Sequence, residues 1–218
     1  MKKIVLIVLV LAVAALASGC ASYNPKTGIP DVKTFQETEI KVVNPEAGIT
    51  IVAYPIQTKE DAELYFDNTS LAKDGVLPVY VSFSMGDIGN KNYRVDTVFL
   101  QTEIRSIPTI SAEVAYKLIK KSYGGKMAAW GIWTYGVGAP ISAAHTASVN
   151  SKTEKDLKEK GMNDTGEIKK EGVSGFLYFK IPDNLESLDN SFLVFVLTDK
   201  DSRNLTVKFP LKGMITAR

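Results

Sequence analysis

The chain has 218 residues, of which 45% are hydrophobic, with 26 basic and 24 acidic residues and a formal net charge of +2. Because the two signs of charge are interspersed, the composition excludes the basic stripe of a nucleic-acid-binding protein and a polybasic lipid-binding cluster. One cysteine and one histidine exclude a disulfide framework and an intrachain zinc site built from His and Cys ligands. The length fits one domain, or one domain with an inserted segment.

The N-terminus has the pattern of an export signal. Lys2 and Lys3 precede a run from Ile4 to Ala17 in which every residue is apolar. This run is shorter than the roughly 18 residues that a membrane-spanning helix needs. The pattern therefore predicts a signal peptide over residues 1–19 that is removed on export.

The apolar run ends in five residues that resemble the lipobox of bacterial lipoproteins: Leu16, Ala17, Ser18, Gly19 and Cys20. In that family small residues let the signal peptidase reach the backbone, and the cysteine carries two or three acyl chains, palmitate among them. Ala17 stands where the family more often has Leu. The resemblance implies that Cys20 is lipidated and joins the mature chain to a membrane, because more than one acyl chain makes attachment stable.

The residue after the cysteine bears on localisation. It is Ala21, and in Gram-negative lipoproteins a residue other than Asp at that position implies sorting to the outer membrane. We therefore expect a lipid-anchored protein of the cell envelope, at the outer membrane of a Gram-negative bacterium. The alternatives are a secreted protein with an incidental cysteine and an uncleaved N-terminal anchor. Cleavage would remove Lys2 and Lys3 and leave 24 basic residues (26 minus 2) against 24 acidic ones.

Three regions follow the signal. Residues 20–36 predict the lipidated cysteine and a tether, because they hold two prolines, a glycine and few large apolar residues. Residues 37–211 predict a mainly β domain with helices, an antiparallel β-sandwich for which immunoglobulin-like topology is the leading interpretation. Residues 212–218 are predicted to form a C-terminal tail.

The domain begins with a predicted hairpin and a short helix. Residues 37–44 and 49–55 are rich in β-branched side chains and flank a turn. Thr58 can cap a helix over 58–66 whose first turn is acidic. The helical spacing predicts that its core-facing residues are Leu64 and either Tyr65 or Phe66.

A second hairpin is predicted next. Residues 75–85 form a strand with Val79, Val81 and Phe83 on one face, and Pro78 indicates an edge strand or the start of a strand. Residues 92–104 are predicted to return beside it. Their alternation sets Arg94, Asp96 and Val98 against Tyr93, Val95, Thr97 and Phe99.

The remaining elements are a helix and three strands. From Ser111 the spacing predicts a helix with Val114, Leu118 and either Ala115 or Ile119 on one side. Residues 166–182 predict a strand with a break at Gly172, and residues 191–199 and 204–211 predict a final hairpin. The total is about eight strands.

An uncharged segment of 25 residues, Met127–Ser151, interrupts this β pattern inside a predicted helical insert over 111–161. Interfacial aromatic residues and small residues suit contact with a membrane or a partner, through Trp130, Gly131, Trp133, Tyr135, Gly136 and Gly138. Pro140 and several polar side chains count against a membrane span. The alternatives are a glycine-rich element packed on the sandwich and an oligomer interface. Residues 148–161 then predict an amphipathic helix that ends at Gly161.

The order of segments over residues 58–211 is similar to uncharacterised bacterial lipoproteins with glycine-zipper-like inserts. The similarity consists of a glycine-rich apolar segment, the helix NSKTEKDLKEK, the strand GFLYFKIP and a final apolar hairpin. It implies an envelope location and no activity.

Candidate chemistry is sparse. His145 lacks a nucleophile elbow or any companion motif. Asp199, Asp201 and Asn204 could offer oxygen ligands to calcium, but they also suit an ordinary turn and lack the glycine and bidentate glutamate of an EF-hand loop. No phosphate-binding loop or dinucleotide fingerprint is present. We therefore expect no metal, no cofactor and no nucleic-acid partner.

Together these features predict a non-enzymatic envelope lipoprotein with a structural or protein-binding role. Its expected partners are the membrane, through Cys20, and an envelope protein or further copies of the chain. One alternative is a membrane-active protein whose insert over 127–151 enters or perturbs a bilayer. Another is a carbohydrate-binding or hydrolytic module that uses Trp130, Trp133 or His145.

Overall fold

The computed structural model describes residues 28–30, 41–44, 48–68, 71–85, 93–120, 139–168, 172–213 and 215. At residues 41–44, 85 and 139–147 only the backbone is described. In these ranges the protein is mainly antiparallel β with helices, as the sequence predicts.

The strands form one nine-stranded sheet in which neighbouring strands are antiparallel, with the order β1-β2-β3-β7-β5-β4-β8-β9 and the short β6 beside β4. Their bounds are β1 Lys41–Asn44, β2 Ile49–Pro55, β3 Val76–Met85, β4 Tyr93–Gln101, β5 Ser106–Ile110, β6 Gly166–Glu167, β7 Val173–Lys180, β8 Ser191–Asp199 and β9 Asn204–Leu211.

The sheet curves until its two halves face each other. Strands β3 and β8 are four positions apart in the order, which would separate them by about 19 Å in a flat sheet. Instead the rings of Phe83 and Phe195 meet edge to face with centroids 5.1 Å apart. Strand β5 joins the halves, because it pairs with β4 through residues 106–108 and with β7 through residues 109–110. One hydrophobic core fills the space between the halves.

Three helices lie in the described ranges: α1 Lys59–Phe66, α2 over 112–120 and α3 Ala139–Lys160. They cover the outer face of β2, β3 and β7, where a second hydrophobic cluster holds Ala62, Phe66, Ala115, Ile119 and Leu157 against the strands. We call the helices with this cluster the helix layer.

Both terminal hairpins are confirmed. In the first, β1 pairs with β2 from Lys41↔Val52 to Asn44↔Ile49. In the last, β8 pairs with β9 from Ser191↔Leu211 to Thr198↔Asn204. The break at Gly172 is also present, since β7 begins at the next residue and Gly172 has a φ of +82°. These features depend on local turn chemistry, which a sequence displays directly.

The predicted hairpin of β3 with β4 is wrong. Strand β3 lies between β2 and β7, whereas β4 pairs with β5, β6 and β8. Pro78 is the third residue of β3 and lies near its start, but β3 is central and not an edge. Its carbonyl accepts a hydrogen bond from the Ile56 amide (2.9 Å), just past the end of β2. The missing Pro78 N–H points to the same side, so it costs no bond inside the ladder.

The alternation predicted for β4 fails halfway along the strand. Tyr93 and Val95 are buried as expected, but the register against β8 shifts between Val95 and Thr97. The extra residue of a β-bulge moves every later side chain to the opposite face. Val98 and Leu100 therefore enter the core, while Phe99 remains half-buried on the outside.

The helices follow the prediction in part. The Thr58 hydroxyl caps α1 by accepting a hydrogen bond from the Asp61 amide (3.0 Å), as predicted. The core-facing residues of α1 are Ala62 and Phe66, whereas Leu64 is 43% exposed. Helix α3 has 22 residues and begins at Ala139, nine residues before the predicted start. Pro140 therefore lies in its first turn, where a missing N–H breaks no intrahelical bond.

The end of α3 is held against β7 by a close backbone approach. Met162 donates its amide to the carbonyl of Phe176 (3.0 Å), and Gly161 forms a parallel bridge with the same residue. Gly175 permits this contact, because a Cβ there would lie 2.8 Å from the Met162 Cβ and 3.0 Å from the Lys160 carbonyl oxygen. The Lys160 oxygen belongs to the backbone and the Met162 Cβ is bonded directly to the backbone, so neither atom can move aside through a side-chain rotation.

We therefore predict that Gly175→Ala lowers the free energy of unfolding of the mature domain by about 1–3 kcal/mol, the usual cost of overpacking a tight site. Urea unfolding followed by circular dichroism measures this. The control is Ser174→Ala at the half-buried neighbouring position, which should change the midpoint little. A Gly175→Ala midpoint equal to that of the unchanged domain would contradict the close approach.

Candidate functional site

The lipidation and contact residues predicted from the sequence lie outside the described ranges. They are Cys20, the lipobox residues Leu16, Ala17, Ser18 and Gly19, and the insert residues Trp130, Gly131, Trp133, Tyr135, Gly136 and Gly138. His145 falls within α3, where only the backbone is described. Three other features of the described residues bear on function: the helix layer, a small cleft beside it, and the outer surface of the opposite half of the sheet.

The helix layer is built on aromatic contacts. The Phe66 ring of α1 meets Phe176 of β7 at 4.8 Å, and Tyr80 of β3 meets the same ring at 5.7 Å, both edge to face. Offset contacts of this kind add to the energy of area burial. They fix α1 over the middle of β3 and β7.

A buried ion pair fixes α3 to the same place. Lys160 and Asp156, one helical turn apart, approach to 2.7 Å with side chains 2% and 6% exposed. The Lys160 ammonium also donates to the carbonyl oxygen of Tyr65 and lies 5.1 Å from the centre of the Phe66 ring. A buried charge needs several such partners to offset its lost hydration, so the last turn of α3 is tied to α1.

Two tyrosines that contact the helices have raised pKa values. Burial, with a smaller contribution from the Asp156 carboxylate, raises the pKa of Tyr178, whose hydroxyl donates to the Leu157 carbonyl (2.9 Å). Burial and then the Asp61 carboxylate raise the pKa of Tyr54 to about 12, and the Tyr54 hydroxyl donates to Asp61 (3.1 Å). Both hydroxyls stay protonated at neutral pH, so they act here as hydrogen-bond donors.

The helix layer also receives the N-terminal segment of the chain. Tyr80 projects from the outer face of β3, and its hydroxyl donates to the carbonyl of Pro30 (3.1 Å). Residues 28–30, which the sequence places in the tether, are therefore attached to the helix-covered side of the domain. This contact holds residues 28–30 beside the outer face of β3.

A cleft of about 260 Å³ lies where α2 begins and α3 ends, with β7 as its floor. This volume is just below the roughly 300 Å³ at which small-molecule pockets usually start. Its polar side chains already serve the fold: Asp164 accepts from Thr109, Lys158 donates to Glu154 (2.7 Å), and Ser111 accepts from the Val114 amide. In the cleft a hydroxyl therefore meets a carboxylate at Thr109 and Asp164, and this contact holds β5 to the segment after α3.

The acidic residues at the turn between β8 and β9 stabilise that turn. One oxygen of Asp199 accepts from the amides of Asp201 (2.9 Å) and Arg203 (2.8 Å), and Arg203 pairs with Asp201 at 2.7 Å. This carboxylate thus holds the turn together. Within the described ranges, no group of three or more His, Cys, Asp or Glu side chains is placed to hold a metal ion.

The outer surface of β4, β8 and β9 is unusually apolar. We define the outer apolar face as Phe99, Phe192, Val194 and Val196. These residues alternate with the core residues of the same strands, and the register sets Phe99 beside Val194 and Phe192 beside Pro210. Phe99, Phe192 and Val196 are half-buried, and Val194 between them is only 1% exposed. The outward face of an antiparallel sheet is polar when it meets only water, so this face is suited to contact with another surface.

The described helices do not pack on this face. The buried apolar residues of α1, α2 and α3 belong to the helix layer on the other half of the sheet. The free edge beside the face is a poor site for adding a strand, because β9 carries Lys208 and Pro210 on its exposed side and both residue types discourage edge pairing. A partner would therefore meet the face itself rather than extend the sheet.

No described helix combines the length and the apolar character needed to cross a membrane.

The sequence signals that could have identified these features differ in strength. The outer apolar face is visible as the apolar run FLVFV in β8, but only knowledge of which strand faces are covered distinguishes it from core. Nothing local marks the contact of Tyr80 with Pro30, which joins residues 50 positions apart.

The buried ion pair gives a quantitative prediction. Lys160→Met leaves the Asp156 carboxylate buried without the Lys160 charge, and we expect a loss of about 3–5 kcal/mol in the free energy of unfolding. The double variant Lys160→Met with Asp156→Leu should recover most of the loss, because apolar residues of similar volume can replace a buried pair.

Lys158→Met is the matched control in the same measurement. Lys158 pairs with Glu154 at the same spacing of four residues, but on the exposed side of α3, so this substitution should change stability little. Equal losses for Lys160→Met and Lys158→Met would contradict the structural role of the buried pair.

No protein-family model, curated protein or solved structure matches this chain.

Proposed function

We propose that this protein is a lipid-anchored, non-enzymatic protein of the bacterial cell envelope that binds another protein through its outer apolar face. The observation that carries the proposal is the placement of two features on opposite sides of the domain. The segment leading back to Cys20 is attached to the helix layer through Tyr80, and the outer apolar face belongs to the other half of the sheet. An anchor on one side leaves the other side accessible to a partner.

The first step of the proposal is lipidation at Cys20, which the lipobox resemblance supports. The acyl chains would attach the mature chain to a membrane without any spanning helix. A location at the outer membrane of a Gram-negative bacterium follows from Ala21 as a further proposal.

The second step is protein binding. Half-buried aromatic side chains at the centre of an apolar patch are the usual anchors of protein interfaces. Phe99 and Phe192 have this character, and Thr97, Thr206 and Lys208 lie around them on the neighbouring strand positions. The partner could be an envelope protein or a second copy of the chain.

On the fold itself, we propose that the curved sheet belongs with the β-sandwiches. The facing halves and their shared core support this reading. Immunoglobulin-like topology stays a prediction from the sequence.

The membrane-active alternative remains a proposal with one supporting observation. Residues 139–151 of the uncharged segment form the first part of α3, which is one of the helices of the helix layer. Contact of that segment with lipid would not require acyl chains on Cys20. A protein without those chains therefore distinguishes the membrane-active alternative from the lipid-anchored one.

Substitution of the lipidated residue tests the anchor. In cells, Cys20→Ala should abolish incorporation of labelled palmitate. The same variant behind a signal peptide that is cleaved without lipidation should also move from the membrane fraction to the soluble envelope fraction. The control is Ser22→Ala, two residues further along, which should leave both unchanged. A Cys20→Ala protein that still incorporates palmitate would contradict the lipid anchor, and a cleaved Cys20→Ala protein that stays in the membrane fraction would favour the membrane-active alternative.

Site-specific photo-crosslinking tests the outer apolar face. A photoreactive residue at position 192 should give a crosslinked product of defined mass in intact cells, and Phe99→Ser should reduce its yield about tenfold through loss of an interface aromatic. The control is the same photoreactive residue at Ile104, a turn residue that is 71% exposed. No product at 192, or equal yields at 192 and 104, would contradict a specific interface. A product of twice the chain mass from the purified protein would identify the partner as a second copy.

A further inference from the structure

We infer that the helix layer rests on the lipid bilayer, with Leu64 of α1, Val114 of α2 and Ile29 of the N-terminal segment at the contact. The inference rests on the proposed function, because it takes Cys20 to carry the lipid. It adds an orientation: the layer formed on β2, β3 and β7 faces the membrane, and the surface it meets is the uncharged part of a phospholipid bilayer.

The chain between Cys20 and the fold is short. Pro30 is held by Tyr80 on the helix layer, and Cys20 is ten residues earlier (30 minus 20). Ten residues span at most about 35 Å when fully extended. The domain is of similar thickness, because a helix is about 10 Å across and facing sheets pack about 10 Å apart. A tether of this length, fixed to one side, favours an orientation with that side towards the bilayer.

The exposed apolar side chains of the domain are unevenly distributed. Four large hydrophobic residues are exposed in the described part of the chain. Leu64 is 43% exposed, Val114 is 41% exposed and Ile29 is 40% exposed; the first two belong to helices of the helix layer, and Ile29 adjoins Pro30 on the same side. The fourth, Ile104, lies in the turn between β4 and β5. Three of these four side chains therefore belong to the side of the domain that the N-terminal segment reaches, and this is the side that we expect to make contact.

The charge of the helix layer indicates which property of the bilayer is recognised. The mature chain would have equal numbers of basic and acidic residues, and the three helices together carry seven lysines and seven acidic residues. Three of the exposed lysines of α2 and α3 are paired with Glu113, Glu154 and Glu159 at the spacing of one helical turn. The helix layer therefore lacks a surplus of positive charge for anionic headgroups. The contact should depend on apolar burial and respond little to salt.

The lone cysteine makes a direct experiment practical. Cys20 is the only cysteine of the chain, and its thiol is consumed by lipidation, so an introduced cysteine is the only free thiol of the acylated protein. We would place a fluorophore on Leu64→Cys, Val114→Cys and Ile104→Cys in the full-length acylated protein. Each protein would be reconstituted into phosphatidylcholine vesicles with and without a lipid that carries a quencher in its acyl chain.

We expect quenching at positions 64 and 114 that is at least about threefold stronger than at 104, and no loss of this difference in high salt. All three side chains are exposed, so their replacement should leave the fold intact, and circular dichroism of each variant checks this. Stronger quenching at 104 than at 64 and 114 would show the opposite orientation and overturn the inference. Absence of quenching at all three positions would show that the domain is held away from the lipid, which also overturns it.

The intact mass of the same protein keeps this result separate from the proposed function. An acylated mass without quenching at 64 and 114 overturns the orientation alone. A mass without acyl chains overturns the lipid anchor, and the orientation that rests on it falls with it.

Discussion

The structure depends on covering two central strands on both faces. Strand β3 is buried at every residue from Val76 to Phe83, and β7 is buried from Gly175 to Phe179. If one face of these strands met water, as in many antiparallel sheets, about half of these side chains would be exposed. That exposure would cost about 25 cal/mol per Å² of apolar surface. The curvature of the sheet covers one face of these strands with β8 and its neighbours, and the helix layer covers the other. The contact of Tyr80 with Pro30, the buried ion pair and the close approach at Gly175 all lie on the side that the helix layer covers.

The part of the fold that could be predicted from the sequence is the part encoded by neighbours in the chain. Thr58 caps α1, and turn residues set both terminal hairpins. The pairing of β3 with β7 is different, since it joins residues about a hundred positions apart, and the same apolar alternation would have suited a neighbouring hairpin. Strand β5 was not predicted because its five residues, SIPTI, are too few to show a clear alternation of apolar and polar side chains and include a proline. The bulge in β4 has no local marker either, and it alone decides that Phe99 lies outside the core.

The candidate sites divide in the same way. The resemblance to a lipobox lies in a linear motif, so the proposed lipidation of Cys20 rests on the sequence and needs no knowledge of the fold. The outer apolar face and the attachment of Pro30 require the three-dimensional register of strands that are distant in sequence. Binding surfaces on antiparallel sheets are hard to recognise from sequence, because an exposed apolar face and a buried one have the same period of two. What distinguishes them is the element that packs on top, which the sequence does not state locally.

The contact between Tyr80 and Pro30 has a mechanical consequence for a protein held by its N-terminus. A force that pulls the domain away from its anchor enters the fold at residue 30, eleven positions before β1 begins at Lys41. Strand β1 has four residues and lies at an edge of the sheet, so it would be the first strand to peel away. The hydrogen bond from Tyr80 instead transmits that force to the middle of β3, a strand paired on both sides. In a chain anchored at Cys20, one tyrosine hydroxyl would thus shield this short edge strand from the load.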